Sequence, residues 1–458
     1  MGSRELRILS PTAILGYGFP VRSLERGLAR DPHVIAVDAG SIDPGPYYLG
    51  SGKSFTDRSA VRRDLALLLE AALNRGIPLI VGTAGGCGAA PHVAWCREII
   101  EEISRERGFV FRLGVIWADV DADVVLEALR SGDIEPTEGA PQLTEGAVVA
   151  SSHIVAQMGM EPIIAALDEG CDVILTGRAY DPALFAALPV RAGFDRALAL
   201  HLGKILECAA IAATPGSGAD CVLGTIREES FLLETTSEER KFTRLSTAAH
   251  TLYEKSDPYR LMGPGGALNL GNTRFLEGAD GTVEVQGTQF EPTQRYIVKL
   301  EGARRVGFRS ICIAGIRDRI AIDQIDAILN TARQRVNDTL GAEGTEGEVY
   351  FRLYGRDGVM GPLEPLAPSP HEIGLVIEAV AKTPSDAQTV CSLMRSTLLH
   401  LDYPGRIATA GNLAFPFSPS DVAAGPVYEF SIHHLMPSEP KALFPLAISQ
   451  IGQDQDSR

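Results

Sequence analysis

The stretch CDVILTGRAYDPAL (171–184) carries the reading of the fold. A short apolar run, Val173–Leu175, stops at Thr176, Gly177 and Arg178, and Asp181 is placed to cap a following helix. The same punctuation recurs upstream in RILSPTAIL (7–15), VIAVDAG (34–40), IPLIVGTAGG (77–86) and FRLGVIWADVD (111–121). Amphipathic stretches at 57–75, 92–107, 122–131 and 155–169 separate these runs. Apolar strands alternating with helices predict βαβ units and a mainly parallel, doubly wound α/β sheet in the N-terminal domain. In such sheets the loops after the strands form the site.

After Ala213 the pattern changes to extended segments with turn signals, Cys221–Leu233, Thr282–Phe290 and Arg295–Leu300. From Val306 the expected order is strand (Val306–Ile316), helix (Ala321–Val336) and strand (Glu348–Tyr354). A strand (Glu372–Ala381), a helix (Ser385–Leu401) and a strand (Val427–His433) follow. That βαββαβ order predicts an α+β, ferredoxin-like C-terminal domain. The expected divisions are a ligand-binding α/β domain over 1–215, a β-rich connector over 216–295, the α+β domain over 296–440 and a tail over 441–458.

The 458 residues carry a net charge of −16, which repels nucleic-acid backbones at long range and argues against nucleic acid as a partner. Seven cysteines form no CxxC pair, and most lie in apolar stretches, as reduced core thiols do. The longest uncharged stretch, 77–96, holds Pro78, Gly82, Gly85, Gly86, Gly88 and Pro91, which break a membrane helix. No signal peptide is visible at the start of the sequence. A cytoplasmic protein without a membrane partner is expected, and a homo-oligomer with two-fold symmetry is the expected assembly.

GSGKS (50–54) resembles a phosphate loop, but Tyr47 stands where the first glycine belongs. Lys53 still follows two glycines and precedes a helix start, an arrangement suited either to an anion or to a solvated turn. No complete G-x-G-x-x-G, G-x-S-x-G or HExxH is present. In VGTAGGCGAAPH (81–92), Thr83, Gly85 and Gly86 offer backbone amides to a carboxylate or phosphate, or serve close packing alone. In VILTGRAYDP (173–182), Thr176, Gly177, Arg178, Tyr180 and Asp181 crowd the end of a strand, and Arg178 can grip a carboxylate with two bonds. HLGKILECAA (201–210) sets His201, Lys204 and Glu207 along one helical face, as a solvated pair or a partly buried, shifted trio. Asp38, Asp43, Asp119, Asp121 and Asp123 follow strands, and are candidates either for Mg²⁺ or for helix caps. His250, Tyr253, Glu254 and Lys255 add acid–base groups. The loops GRDGVMGPLEP (355–365) and GNLAFPFSPSD (411–421) read as a cover and a lid or subunit contact.

VILTGRAYDPAL (173–184), HLGKILECAA (201–210), TLYEKSDPY (251–259) and RDLALLLEAALNRGIPLIVGTAGG (63–86) together resemble the acyclic terpene utilisation (AtuA-like) family. Members show TGR-x-x-D after a strand, a helix containing HLLECG, and a later LLYE-x-x-DP. The resemblance runs from Ile8 to Asn272, and departs from the family at Gly203-Lys204. It implies a catabolic enzyme or subunit and names no reaction.

The expected function is a lyase, hydratase or isomerase acting on a small carboxylate or branched acyl compound. A non-catalytic partner subunit of a carboxylase-type complex is the alternative, and a nucleotide- or coenzyme A-binding regulator a third. The expected catalytic set is Lys53, Asp181, Lys204 and Glu207. The expected binding set is Thr83, Gly85, Gly86, Thr176, Gly177, Arg178 and Tyr180, gathered on one small anionic metabolite. The residues name no cofactor and leave the metal open.

Overall fold

The computed structural model describes residues 4–253, 257–366 and 369–452. Strands β1 (Leu6–Ser10), β2 (Val34–Asp38), β3 (Leu79–Gly82), β4 (Phe111–Ile116), β5 (Glu135–Pro136), β6 (His153–Ala156) and β7 (Val173–Thr176) occupy the first part of the chain. β8 (Val222–Ile226), β9 (Ser230–Thr235), β10 (Arg260–Gly263), β11 (Gly266–Asn269), β12 (Arg274–Glu277), β13 (Val283–Gln286) and β14 (Gln289–Pro292) follow. The last are β15 (Ile297–Ile316), β16 (Gly347–Tyr354), β17 (Ile373–Ala381), β18 (Asp421–Pro437) and β19 (Leu446–Ile451). The chain divides into two compact units, Met1–Arg304 with Phe430–Arg458, and Arg305–Glu429.

The first unit is built on a sheet ordered β12-β13-β9-β8-β1-β2-β3-β7-β4-β19, ten strands among the described residues. Its centre, β1-β2-β3-β7-β4, is parallel. Alternate residues of these strands enter two separate cores: Ile8, Ala36, Ile80 and Ile174 on one face, Leu9, Val37, Val81 and Leu175 on the other. Burial on both faces explains why the runs read as continuously apolar. The helix Arg58–Arg75 packs against the second face with Leu65, Leu68 and Leu69. Its N-cap is Asp57, which accepts from the amides of Ser59 and Ala60 at 2.9 and 3.1 Å.

The expected mainly parallel, doubly wound sheet is corrected by the strands that flank this centre. β8 runs antiparallel to β1, with Leu6 opposite Ile226, and β9, β13 and β12 continue antiparallel from it. β19 pairs antiparallel with β4 on the other edge. The sheet is mixed. Alternation of apolar and polar residues marks a strand but does not name its partner, so 216–295 reads as a separate connector although four of its strands complete the sheet. Its remaining strands, β10, β11 and β14, form a small antiparallel sheet.

In the second unit β17 lies between β16 and the end of β15, antiparallel to both. The helices Ile325–Glu343 and Pro384–His400 bring Ala332, Val336, Val390 and Met394 against Cys312, Leu375 and Ile377. The expected ferredoxin-like domain is corrected here. β15 extends over twenty residues and β18 over seventeen, so both belong partly to the first unit. There Leu300–Ala303 pair with β6, and His434–Leu435 with β5. The antiparallel strands are therefore not closed within a domain of their own. Among the described residues no helix is long and apolar enough to cross a membrane. The seven cysteines are free thiols, and all but Cys208 are buried.

Candidate functional site

The site lies in the first unit. It begins where β7 ends, because three backbones meet there without side chains between them. A Cβ on Gly88 would stand 2.1 Å from the Arg178 nitrogen, and one on Gly177 would stand 2.7 Å from the Gly88 carbonyl oxygen. The glycine loop after β3 therefore presses directly on Gly177-Arg178 and seats the arginine. The Gly86 and Gly88 amides are used inside that loop, donating to the Thr83 and Ala84 carbonyls at 3.0 Å. Opposite, Met158 N donates to the Arg178 carbonyl at 3.1 Å, and Tyr180 N to the Met158 carbonyl at 2.8 Å.

A second close approach brings in the next helix. A Cβ on Gly203 would fall 2.3 Å from the Pro182 carbonyl oxygen, so the helix Arg196–Leu206 packs tightly against Asp181–Arg191. Lys204 and Glu207 are thereby carried beside Asp181, Tyr180 and Arg178, and all five line one hollow of about 320 Å³. Ser41, Asp43, Gln157, Pro182, Met262 and Lys299 complete its wall. A Cβ on Gly263 would lie 2.8 Å from the Tyr180 ring, so β10 packs against that ring.

The three cations of the hollow are each paired. Arg178 Nε donates to Glu301 Oε2 at 2.8 Å, and its Nη1 donates to Asp181 Oδ1 at 2.9 Å and to the Ala179 carbonyl at 2.8 Å. Gln157 Nε2 donates to Glu301 Oε1 at 3.3 Å, and Lys299 Nζ lies 3.1 Å from the same oxygen. Lys204 Nζ donates to Glu207 Oε1 at 2.5 Å and sits 5.6 Å from the Tyr253 ring centre. Burial opposes ionisation of Glu301, but the Arg178 and Lys299 cations outweigh it and hold the carboxyl below its usual range. Burial likewise works against the Lys204 ammonium, and the Glu207 carboxylate outweighs it, so Lys204 holds its proton more firmly than a free lysine. Burial raises the Tyr180 phenol, which stays a donor.

Asp38, at the end of β2, is a buried carboxyl whose Oδ1 meets no protein partner among the described residues. Burial, then the charges of Asp181 and Glu207, push it well above the usual carboxylate range despite Arg178. It holds its proton more firmly than a free carboxylic acid. Burial with the nearby Lys204 charge lowers His250 to about 4.

The expected residues thus divide. Arg178, Tyr180, Asp181, Lys204 and Glu207 share the hollow, and Thr176 and Gly177 lie buried at the strand end that leads into it. Thr83, Gly85 and Gly86 do not line it, and Gly85 packs on the His92 side chain. Lys53 is exposed and outside the lining, and its carbonyl meets His92 Nε2 at 2.9 Å. Asp181 accepts from Arg178 instead of capping its helix. His201 leaves the trio: it sits between the Thr288 and Thr251 hydroxyls at 2.7 and 3.0 Å, and burial lowers it to about 3. Glu254 and Lys255 lie outside the described residues. Asp38, Asp43, Asp119, Asp121 and Asp123 do not come together, and no group of three His, Cys, Asp or Glu is placed to hold a metal ion among the described residues.

Glu301, Lys299, Gln157 and Met262 went unread in the sequence. The alternation of Lys299 and Glu301 with Val298 and Leu300 in VKLEG (298–302) was the one signal available.

No curated protein and no solved structure matches the chain. The family described as acyclic terpene utilisation family protein AtuA matches residues 55–220, a span that holds Arg178, Tyr180, Asp181, Lys204 and Glu207 and leaves out Asp38, Met262, Lys299 and Glu301. The motifs ending in Gly177-Arg178 and spanning His201–Glu207 both fall in that span, and over residues 55–220 the chain is similar to this family.

Proposed function

We propose that the chain is a catabolic enzyme, a lyase, hydratase or isomerase, that moves a proton on a small carboxylate or branched acyl compound bound in the hollow. The observation that carries this reading is the facing of two ion pairs, the buried Lys204–Glu207 and the half-buried Arg178–Asp181, on one small hollow. Such pairs supply a proton donor and a proton acceptor within reach of one ligand. Lys204, Glu207 and Asp181 are the groups assigned to proton transfer. Arg178 is committed to Asp181 and Glu301, so its role is to orient Asp181 and not to grip substrate alone. Asp38 adds a buried carboxyl with a raised pKa at the edge of the same network. The matched family's description, acyclic terpene utilisation, supports the catabolic assignment.

The test is turnover of a panel of unsaturated and branched short acids and their thioesters by wild type, Lys204→Met and Asp181→Asn. Loss of about 10²-fold or more in either variant, with folding intact, is the expected result. Unchanged turnover in both variants would overturn the reading. A purified chain that turns over nothing alone and acts only with a carboxylase-type partner would replace it with the subunit reading.

A further inference from the structure

The wall of the hollow is unsuited to a hydrocarbon chain. Of the eleven residues that line it, Pro182 and Met262 are the aliphatic ones, Tyr180 adds a ring that carries a hydroxyl, and Met262 is 58% exposed. An isoprenoid tail gains free energy where it leaves water for an apolar surface. Laid over Lys204–Glu207 and Arg178–Asp181, it would strip water from ionised groups and return no hydrogen bond. The volume, about 320 Å³, is also near the lower end for ligand pockets, which span roughly 300–1,000 Å³.

The polar groups instead suit a ligand with oxygens at two places. Lys299 is the least enclosed cation of the hollow, 28% exposed against 4% for Lys204 and 3% for Arg178. Its ammonium has three donors, one of which meets Glu301. Gln157, also bonded to Glu301, stands with it, so a carboxylate at this end is met by an ammonium and an amide fixed by the same buried anchor. A hydroxyl or keto oxygen further along the ligand would then meet Tyr180, Lys204 and Glu207.

We infer that the ligand is a short hydroxy- or oxo-acid, bound as the free carboxylate through Lys299, and not an isoprenoid chain. The inference rests on the reading of this hollow as the substrate site. An enzyme with this preference would take the small oxygenated acids that chain-shortening reactions release.

The experiment is ligand-observed NMR and calorimetry with 2-oxobutyrate, 3-hydroxybutyrate and the ten-carbon branched geranate. Wild type, Lys299→Met and Met262→Trp are compared, each checked by thermal unfolding. The expected result is binding of one or both short acids, weakened at least tenfold by Lys299→Met and blocked by Met262→Trp, with no binding of geranate at the same concentration. Geranate binding as tightly as the short acids, and lost in Met262→Trp, would overturn the short-acid inference and leave the hollow as the substrate site. Binding that ignores both substitutions, or no binding by any of the three acids, would overturn the inference; binding that ignores both would also remove the hollow from consideration.

Discussion

Arg178 and Glu301, 123 residues apart in the chain, form an enclosed ion pair with Nε 2.8 Å from Oε2 and side chains 3% and 0% exposed. The same carboxylate takes Lys299 and Gln157, so one buried anion holds both an arginine at the end of β7 and the lysine of β15. Removing one partner of a buried pair strands the other charge away from water, which costs more than the pair itself contributes. Glu301→Gln is expected to lower unfolding free energy by about 3 kcal/mol. Urea denaturation measures it, and a change within about 0.5 kcal/mol, the range of a neutral surface substitution, would contradict an anchoring role.

Gly88 has φ +67° and no space for a side chain, because its Cβ would overlap the Arg178 nitrogen. Gly76 has a similar φ, +63°, with nothing near. Gly76→Ala is expected to cost about 1 kcal/mol from backbone strain alone. Gly88→Ala adds overpacking against backbone and is expected to cost about 3 kcal/mol or more, with loss of ligand binding. Equal costs in paired denaturation curves would mean that close packing at Arg178 is unimportant.

Asp38 holds its proton above the ordinary carboxyl value of 3.8 in the folded chain. The folded chain then binds a proton that the unfolded chain has already lost, so this residue's contribution falls as pH rises from 3.8 through the folded value. Asp38→Asn removes that dependence. Its unfolding temperature is expected to rise relative to wild type, by a margin that widens with pH. A constant offset between pH 4 and pH 8 would argue that Asp38 is ionised at neutral pH.

His201 and His250 are shifted the other way, to about 3 and about 4 from 6.5. Below pH 6.5 the unfolded chain takes up protons that the folded chain refuses, so the stability present above 6.5 is lost as pH falls toward those values. His201→Asn keeps a polar group between Thr251 and Thr288 and is expected to reduce the proton uptake on unfolding near pH 5 by up to one proton. Denaturation across pH 4–7 reads this directly, and an unchanged slope would place the proton elsewhere.

Much of the local architecture is legible in the residues alone. The runs around Val34, Ile80, Val115 and Ile174 announced parallel strands, because residues buried on both faces must be apolar at every position. TGRAYDP and the Lys204–Glu207 helix marked most of the expected residues that share the hollow, since charge at the end of an apolar strand is costly unless it is paired. The glycine loop at 85–88 was also visible, but its purpose was not. Gly88 and Gly177 touch each other's backbones, and that contact spends the loop on packing instead of on an anion.

What the residues alone determined is therefore the kind of element along most of the chain and the chemistry available to it, because propensity and periodicity are properties of a few neighbouring residues. Which strands meet was decided only in three dimensions: Leu6 finds Ile226, and Val155 finds Glu301, through pairing that no short window encodes. The mixed sheet, the long shared strands β15 and β18, and the anchoring of Arg178 by Glu301 all follow from such contacts. A charge is assigned a role by its partner, and the partner here lies across the fold.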